Sequence, residues 1–170
     1  MRARIRGARP VRRWAAALAL AVALMCVATV ASADPEEQDP GAITSDHDYS
    51  TARDAIDRKD WMRATRHFER AAKRYPENAD IQNYLGFAYR KWGKLDLAFI
   101  HYKQALKLDP RHRGAHEYIG EAYLMAGDLA SAERHLAALR EICLLPCEQL
   151  TDLEHEIAEY RAKSAASGAH

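Results

Sequence analysis

The sequence predicts an all-α solenoid of three helical hairpins closed by a capping helix, and three observations carry that prediction. Between Ala79 and His112, apolar residues recur at helical spacing in two stripes parted by a glycine turn. The pattern returns at an interval of 34 residues: Ala64, Ala98 and Ala132 align, as do Trp61, Leu95 and Leu129, and Phe68, Tyr102 and Leu136. A hairpin of this length cannot bury its apolar face alone, so stacked copies must supply the core.

The middle hairpin is the clearest. Ile81, Leu85, Ala88, Tyr89 and Trp92 form its first stripe, and Leu95, Phe99, Tyr102, Ala105 and Leu106 its second. Gly86 and Ala98 are small enough for two helix backbones to approach. Gly93 suits the positive φ that ends a helix. Asp109-Pro110 stops the second arm, because a residue before proline avoids the α region. The spacing of Leu85-Gly86, Tyr89, Gly93, Ala98, Tyr102, Ala105 and Pro110 resembles a tetratricopeptide repeat, two antiparallel helices in 34 residues. Gln82 stands where that pattern has Trp, and Tyr102 where it has Phe. The outer copies depart more, with Thr51, Ala55 and Lys59 in place of Leu, Tyr and Gly, and Leu144 in place of proline. The resemblance runs from Ser45 to Pro146. It implies a right-handed α-α superhelix with repeats at 45–78, 79–112 and 113–146, and a protein or peptide partner on its concave face.

In chain order, residues 1–33 hold six arginines and no acids, and Trp14 to Ala31 lacks any charge. With the small residues Ala31-Ser32-Ala33, this reads as an export signal cleaved after Ala33. An uncleaved anchor is the alternative, and the only membrane contact the sequence suggests. Either way the repeats are expected outside the cytoplasm, periplasmic or secreted. Residues 34–44 read as an acidic, flexible linker. Helices are expected at 46–58, 61–74, 79–91, 95–107, 112–125 and 129–142, with Ser45, Asp60, Asn78 and Asp128 as N-caps. After the repeat region 45–147 comes a last helix, 148–163. Its stripe of Leu150, Leu153, Ile157 and Tyr160, with acidic residues around the remainder, suits a terminal cap. Residues 164–170 read as a disordered tail.

Subtracting the six N-terminal arginines from 25 basic residues leaves 19 against 24 acidic ones, so the chain beyond the signal is no nucleic-acid binder by charge. There is no phosphate-cradling glycine loop, no G-x-S-x-G elbow and no H-E-x-x-H helix, and no nucleophile is paired with a base. Neither an enzyme nor a cofactor is expected. His67, His101 and His135 occupy one position in three repeats and read as packing residues. His112 and His116, four apart, give only a weak metal signal. Cys143 and Cys147 are expected to pair as a structural disulfide, with a redox-active or metal-binding thiol pair as the alternative.

The concave face supplies the binding candidates. Asn83, Phe87, Arg90 and Lys91 lie opposite the buried stripe of the second repeat, flanked by Tyr84. Tyr49, Arg53 and Asp57 hold the matching places in the first repeat, and Glu117, Glu121 and Met125 in the third, flanked by Tyr118. Arg53, Arg90 and Lys91 should make the first two repeats positive, and Glu117 and Glu121 the third negative. A partner segment would then run with its acidic part over the first two, and Arg90→Glu should slow association without disturbing the fold. A known version of this groove clamps chaperone C-termini with lysines and asparagines. The matching positions here are Tyr49, Arg53, Tyr84, Gly114 and Tyr118, so that clamp is not expected. The function expected is a non-enzymatic scaffold of the cell envelope; a thiol or metal carrier using Cys143 and Cys147 is the alternative.

Overall fold

The computed structural model describes residues 43–167. The expected signal, its cleavage site, most of the linker and the last three residues lie outside them. Among the described residues, seven helices follow one another after residue 46: α1 (His47–Asp57), α2 (Trp61–Arg74), α3 (Ala79–Lys91), α4 (Leu95–Leu108), α5 (Arg113–Met125), α6 (Leu129–Ile142) and α7 (Glu148–Ser167). No strand occurs among the described residues. None of these helices is long and apolar enough to cross a membrane.

Each boundary has a local cause. Asp60, Asn78 and Asp128 accept the backbone N–H of Arg63, Ile81 and Ser131 at 3.1, 2.8 and 3.0 Å, as N-caps do. The first helix is capped one residue later than expected, by Asp46 rather than Ser45, with Tyr49 N–H 2.9 Å from Asp46 Oδ1. His112 caps α5 through Nδ1, which accepts from Ala115 N–H at 3.1 Å. All three hairpin turns close with the same backbone bond, from Asp60 to Ala55, Lys94 to Tyr89 and Asp128 to Tyr123. That closure needs a left-handed residue, which Gly93 and Gly127 supply at φ 78° and 80°. Lys59 holds the same place at φ 58° without the freedom of glycine, so the repeat pattern overrides a local preference.

Helices α1–α2, α3–α4 and α5–α6 pair as hairpins, and neighbouring hairpins pack in sequence. Gly86 is the tightest point of the middle one. A Cβ there would lie 2.5 Å from the Tyr102 ring, which is wholly buried and held by Arg90 Nε on its hydroxyl at 3.2 Å. Gly86→Ala is expected to lower stability. Overpacking against a ring that cannot turn away costs about 1–3 kcal/mol, more than the roughly 1 kcal/mol that alanine's helix propensity returns. A lower urea midpoint with an unchanged slope checks this.

The core divides in two. One cluster joins the first two hairpins and reaches Ile119 and Ala122 of the third. The other joins α6 to α7 through Ala132, Leu136, Leu139, Leu153 and Ile157. Leu136 is smaller than Tyr102, its counterpart one repeat earlier. The space over Gly120, the counterpart of Gly86, is taken by Leu153 of α7 instead. So α7 packs on the third hairpin as its cap. It also continues to Ser167, four residues beyond the expected end, because Ala165 and Ala166 favour helix and Ser167 Oγ lies within hydrogen-bond reach of the Lys163 and Ser164 carbonyls.

Candidate functional site

The inner face is built by α1, α3 and α5, with α7 beside them. Aromatic side chains on these helices put rings in reach of the next repeat. Tyr49 meets Tyr84 edge-on at 6.1 Å, and Tyr84 stacks on Phe68 at 5.5 Å. Phe87 meets Trp61 at 6.2 Å and Tyr118 at 5.1 Å. Tyr49, Tyr84, Phe87 and Tyr118 are therefore half-buried. They tie repeats together and still show an edge to solvent. Arg53 lies over the Tyr84 ring at 4.3 Å, and Lys91 over Phe87 at 5.5 Å.

The structure corrects three of the expected surface residues. Asn83, Arg90 and Glu117 are buried. Arg90 is 4% exposed: its Nη1 donates to Glu121 Oε2 at 2.5 Å and its Nε to the Tyr102 hydroxyl, while Phe87 and Tyr118 lie over the guanidinium at 5.6 and 5.5 Å. It is a structural cation between two repeats, not an open one. The positive field expected over the first two repeats reduces to Arg53 and Lys91, and Glu121 is largely neutralised. Helical spacing placed these residues on the right face; it did not reveal that a neighbouring inner helix covers the long side chains pointing sideways along it.

At the N-terminal ends of α3 and α5 the face opens into a cleft of about 500 Å³. Asn83, Glu117, Tyr84 and Tyr118 line it, with Asp80, His112 and Arg113 at its edge. Asp80 Oδ1 lies 3.0 Å from His112 Nε2, and that hydrogen bond holds the carboxyl below its ordinary range. Burial pushes the Glu117 carboxyl up to about 8, and the nearby carboxylates of Glu121 and Asp152 add to the effect. Asp80, His112 and Arg113 were not singled out by sequence as parts of the site. The signal available was their place in the first turn or cap of the inner helices, at the mouth of the groove.

The outer face carries the three histidines in a repeating device. His67 Nδ1 lies 2.7 Å from Asp48 Oδ1, His101 Nδ1 2.9 Å from Gln82 Oε1, and His135 Nδ1 2.9 Å from His116 Nδ1. Each partner precedes its histidine by 19 residues. This explains Gln82: a polar residue stands at the Trp position because it pairs with His101. His101 also stacks on Tyr89, and His135 on Tyr123. Burial lowers the pKa of His101 and His116; burial and the neighbouring His116 push His135 down to about 4. The His101, His116 and His135 rings are neutral packing groups near pH 7. Among the described residues no cluster of three or more metal-ligating side chains forms. The first repeat adds ion pairs, with Arg74 bidentate on Asp46 at 2.7 and 2.8 Å and reaching Asp48 at 2.8 Å.

With this geometry described, comparison with known proteins is informative. Tetratricopeptide-repeat family models match residues 79–112 and 101–143. A comparison with curated proteins gives no match. Among solved structures, the chain is similar to the translocator chaperone SycD of Yersinia enterocolitica bound to a peptide of the translocator YopD. They share 21% identity over 69% of this chain and 92% of that one, with a TM-score of 0.62. It is similar to the TPR2B domain of yeast Sti1 in its pHsp70 complex, at 19% identity over 68% and 94% of the two chains, TM-score 0.63. The second TPR domain of human RPAP3, in complex with an HSP70 peptide, gives 19% over 67% and 92%, TM-score 0.59. Residues 79–143 match tetratricopeptide-repeat models, and the fold is the superhelix that such repeats build.

Proposed function

We propose that this tetratricopeptide-repeat chain is a non-enzymatic scaffold of the cell envelope that docks a partner's peptide segment on its concave face. The observation that carries the reading is the inner face itself, where a row of half-exposed rings runs across all three repeats and ends in an open cleft. Rings that are already fixed by their neighbours lose little entropy on binding. Structural relatives with peptides in their complexes add support. Export is supported by the arginine-rich, then uncharged, first 33 residues. A Cys143–Cys147 disulfide fits the same compartment. The two Cα atoms are 6.1 Å apart, within the range a disulfide spans, and the bond would fix how α6 turns into α7.

The test places a photo-crosslinker at exposed Lys91 in the groove and, as control, at exposed Lys103 on α4. Capture of one partner from Lys91 alone supports the reading; equal capture from Lys103, or none from Lys91, overturns it. Once a partner is in hand, Phe87→Ala is expected to weaken binding by about 2 kcal/mol or more, because Phe87 is the central ring of the row. Binding isotherms measure this beside circular dichroism, since Phe87 also packs on Trp61 and Tyr118.

A further inference from the structure

The cleft at the start of α3 and α5 holds one buried polar atom that the fold leaves unsatisfied, and a carboxyl lines the same space. Asn83 is 4% exposed, and its Oδ1 has no hydrogen-bond partner among the described residues. Glu117 holds the equivalent place one repeat later and is 7% exposed. No hydrogen bond or ion pair reaches its carboxyl among the described residues. A buried polar group without a partner is rare in folded proteins, and each calls for an explanation. Asn83 Oδ1 lacks a donor, and Glu117 would need one once ionised. Tyr84 and Tyr118 present rings to the same space.

We propose that this cleft is a subsite for a cationic N–H donor of the docked segment: an arginine or lysine side chain, or a free amino terminus. The proposal rests on the concave-face reading above and names the chemistry of one end of it. Such a group donates to Asn83 Oδ1, pairs with the Glu117 carboxylate and packs on the tyrosine faces. A carboxylate ligand would leave Asn83 Oδ1 as it is and would face Glu117 directly.

The surrounding charges favour the cation at the floor of the cleft. Asp152 and Glu148 on α7 act on Glu117 in one sense, while Glu121 on α5 and Arg90 on α3, paired with each other, act in opposite senses. Arg90 is already committed to Glu121. Arg111, His112 and Arg113 line the rim. His112 is engaged by Asp80, and Asp109 lies beside Arg111, accepting its backbone N–H at 2.9 Å.

Glu117 couples binding to pH. Its carboxyl titrates near 8, raised first by burial and then by Glu121 and Asp152. The empty cleft therefore holds the proton at neutral pH, and an arriving cation must displace it. Only the ionised fraction is competent, so affinity should fall about tenfold for each pH unit below that value.

The experiment uses four capped tripeptides against the full chain, followed by backbone amide shifts of α3 and α5 and by calorimetry. The probes are acetyl-Ala-Arg-Ala-amide, acetyl-Ala-Lys-Ala-amide, Ala-Ala-Ala-amide with a free amino terminus, and acetyl-Ala-Glu-Ala-amide. The arginine or lysine probe should bind with proton release and weaken about tenfold from about pH 9 to about pH 7, whereas the free amino terminus, which titrates near 8 itself, should bind best near pH 8. Glu117→Gln should abolish that pH dependence and weaken binding about tenfold, while its thermal melting at high pH holds or rises. Which cationic probe binds best identifies the source of the donor. Tighter binding of the glutamate probe, pH-independent binding of the arginine and lysine probes, an unaffected Glu117→Gln variant, or no binding of any probe overturns the proposal. The two readings fail separately: capture from Lys91 with no effect of Glu117→Gln sinks the subsite alone, and no capture from Lys91 sinks concave-face docking.

Discussion

A chain ending at Cys147, without α7, is expected to melt well over 10 °C below the full chain, or to aggregate as it is made. Leu153 and Ile157 are buried to within 2% of completely, between α5 and α6. Each contributes about 1.5–3 kcal/mol by burial, and Leu136 and Leu139 would lose their cover as well. Against a total stability of about 5–15 kcal/mol, a loss of this size is decisive. For a domain of this size, 1 kcal/mol moves Tm by roughly 2–8 °C. A second truncation sharpens the test. Ending the chain after Lys163 removes only exposed residues of α7 from the described region and should leave melting unchanged. Differential scanning calorimetry of both chains separates a packed cap from a helix that merely follows the repeats; equal melting of all three chains would sink the cap.

The fold was legible because its signals were redundant. Glycine turns, small residues at crossings and capping side chains recur at one interval, so even degraded outer copies kept register. Lys59 shows how strong that redundancy is, since it takes the left-handed turn with no glycine. The stripe of α7 was legible for the same reason: Leu153 and Ile157 fall on one face, and that face is buried.

The candidate site was legible only as a face. Helical spacing placed Tyr84, Phe87 and Tyr118 together, and the structure keeps them in one row. It gave no information on distances between repeats, which decide whether a long charged side chain reaches solvent or a neighbour. Asn83 and Glu117 were chosen as surface residues and prove to be buried floor. The histidines were correctly placed beside the core, but the pairing of Asp48, Gln82 and His116 with them went unseen. That pairing lies across two helices at a fixed offset, and a stripe within one helix does not display it.

Arg90→Glu is expected to unfold the middle of the solenoid, the reverse of what the sequence alone suggests. In the native chain the Arg90 guanidinium has three ties: the Glu121 carboxylate, the Tyr102 hydroxyl, and the faces of Phe87 and Tyr118. Removing one partner of a buried ion pair costs about 3–5 kcal/mol, because the other charge stays behind unpaired. Here the incoming carboxylate would add like-charge repulsion with Glu121, and Glu117 is close by. The loss thus approaches the whole stability of a small domain. Replacing both Arg90 and Glu121 by leucine should recover much of it, since apolar residues of similar volume often replace such a pair at little cost. Urea denaturation of the two variants beside the parent measures the effect. A parent-like midpoint for Arg90→Glu would mean that the side chain lies open on the groove, and its role would revert to steering a partner.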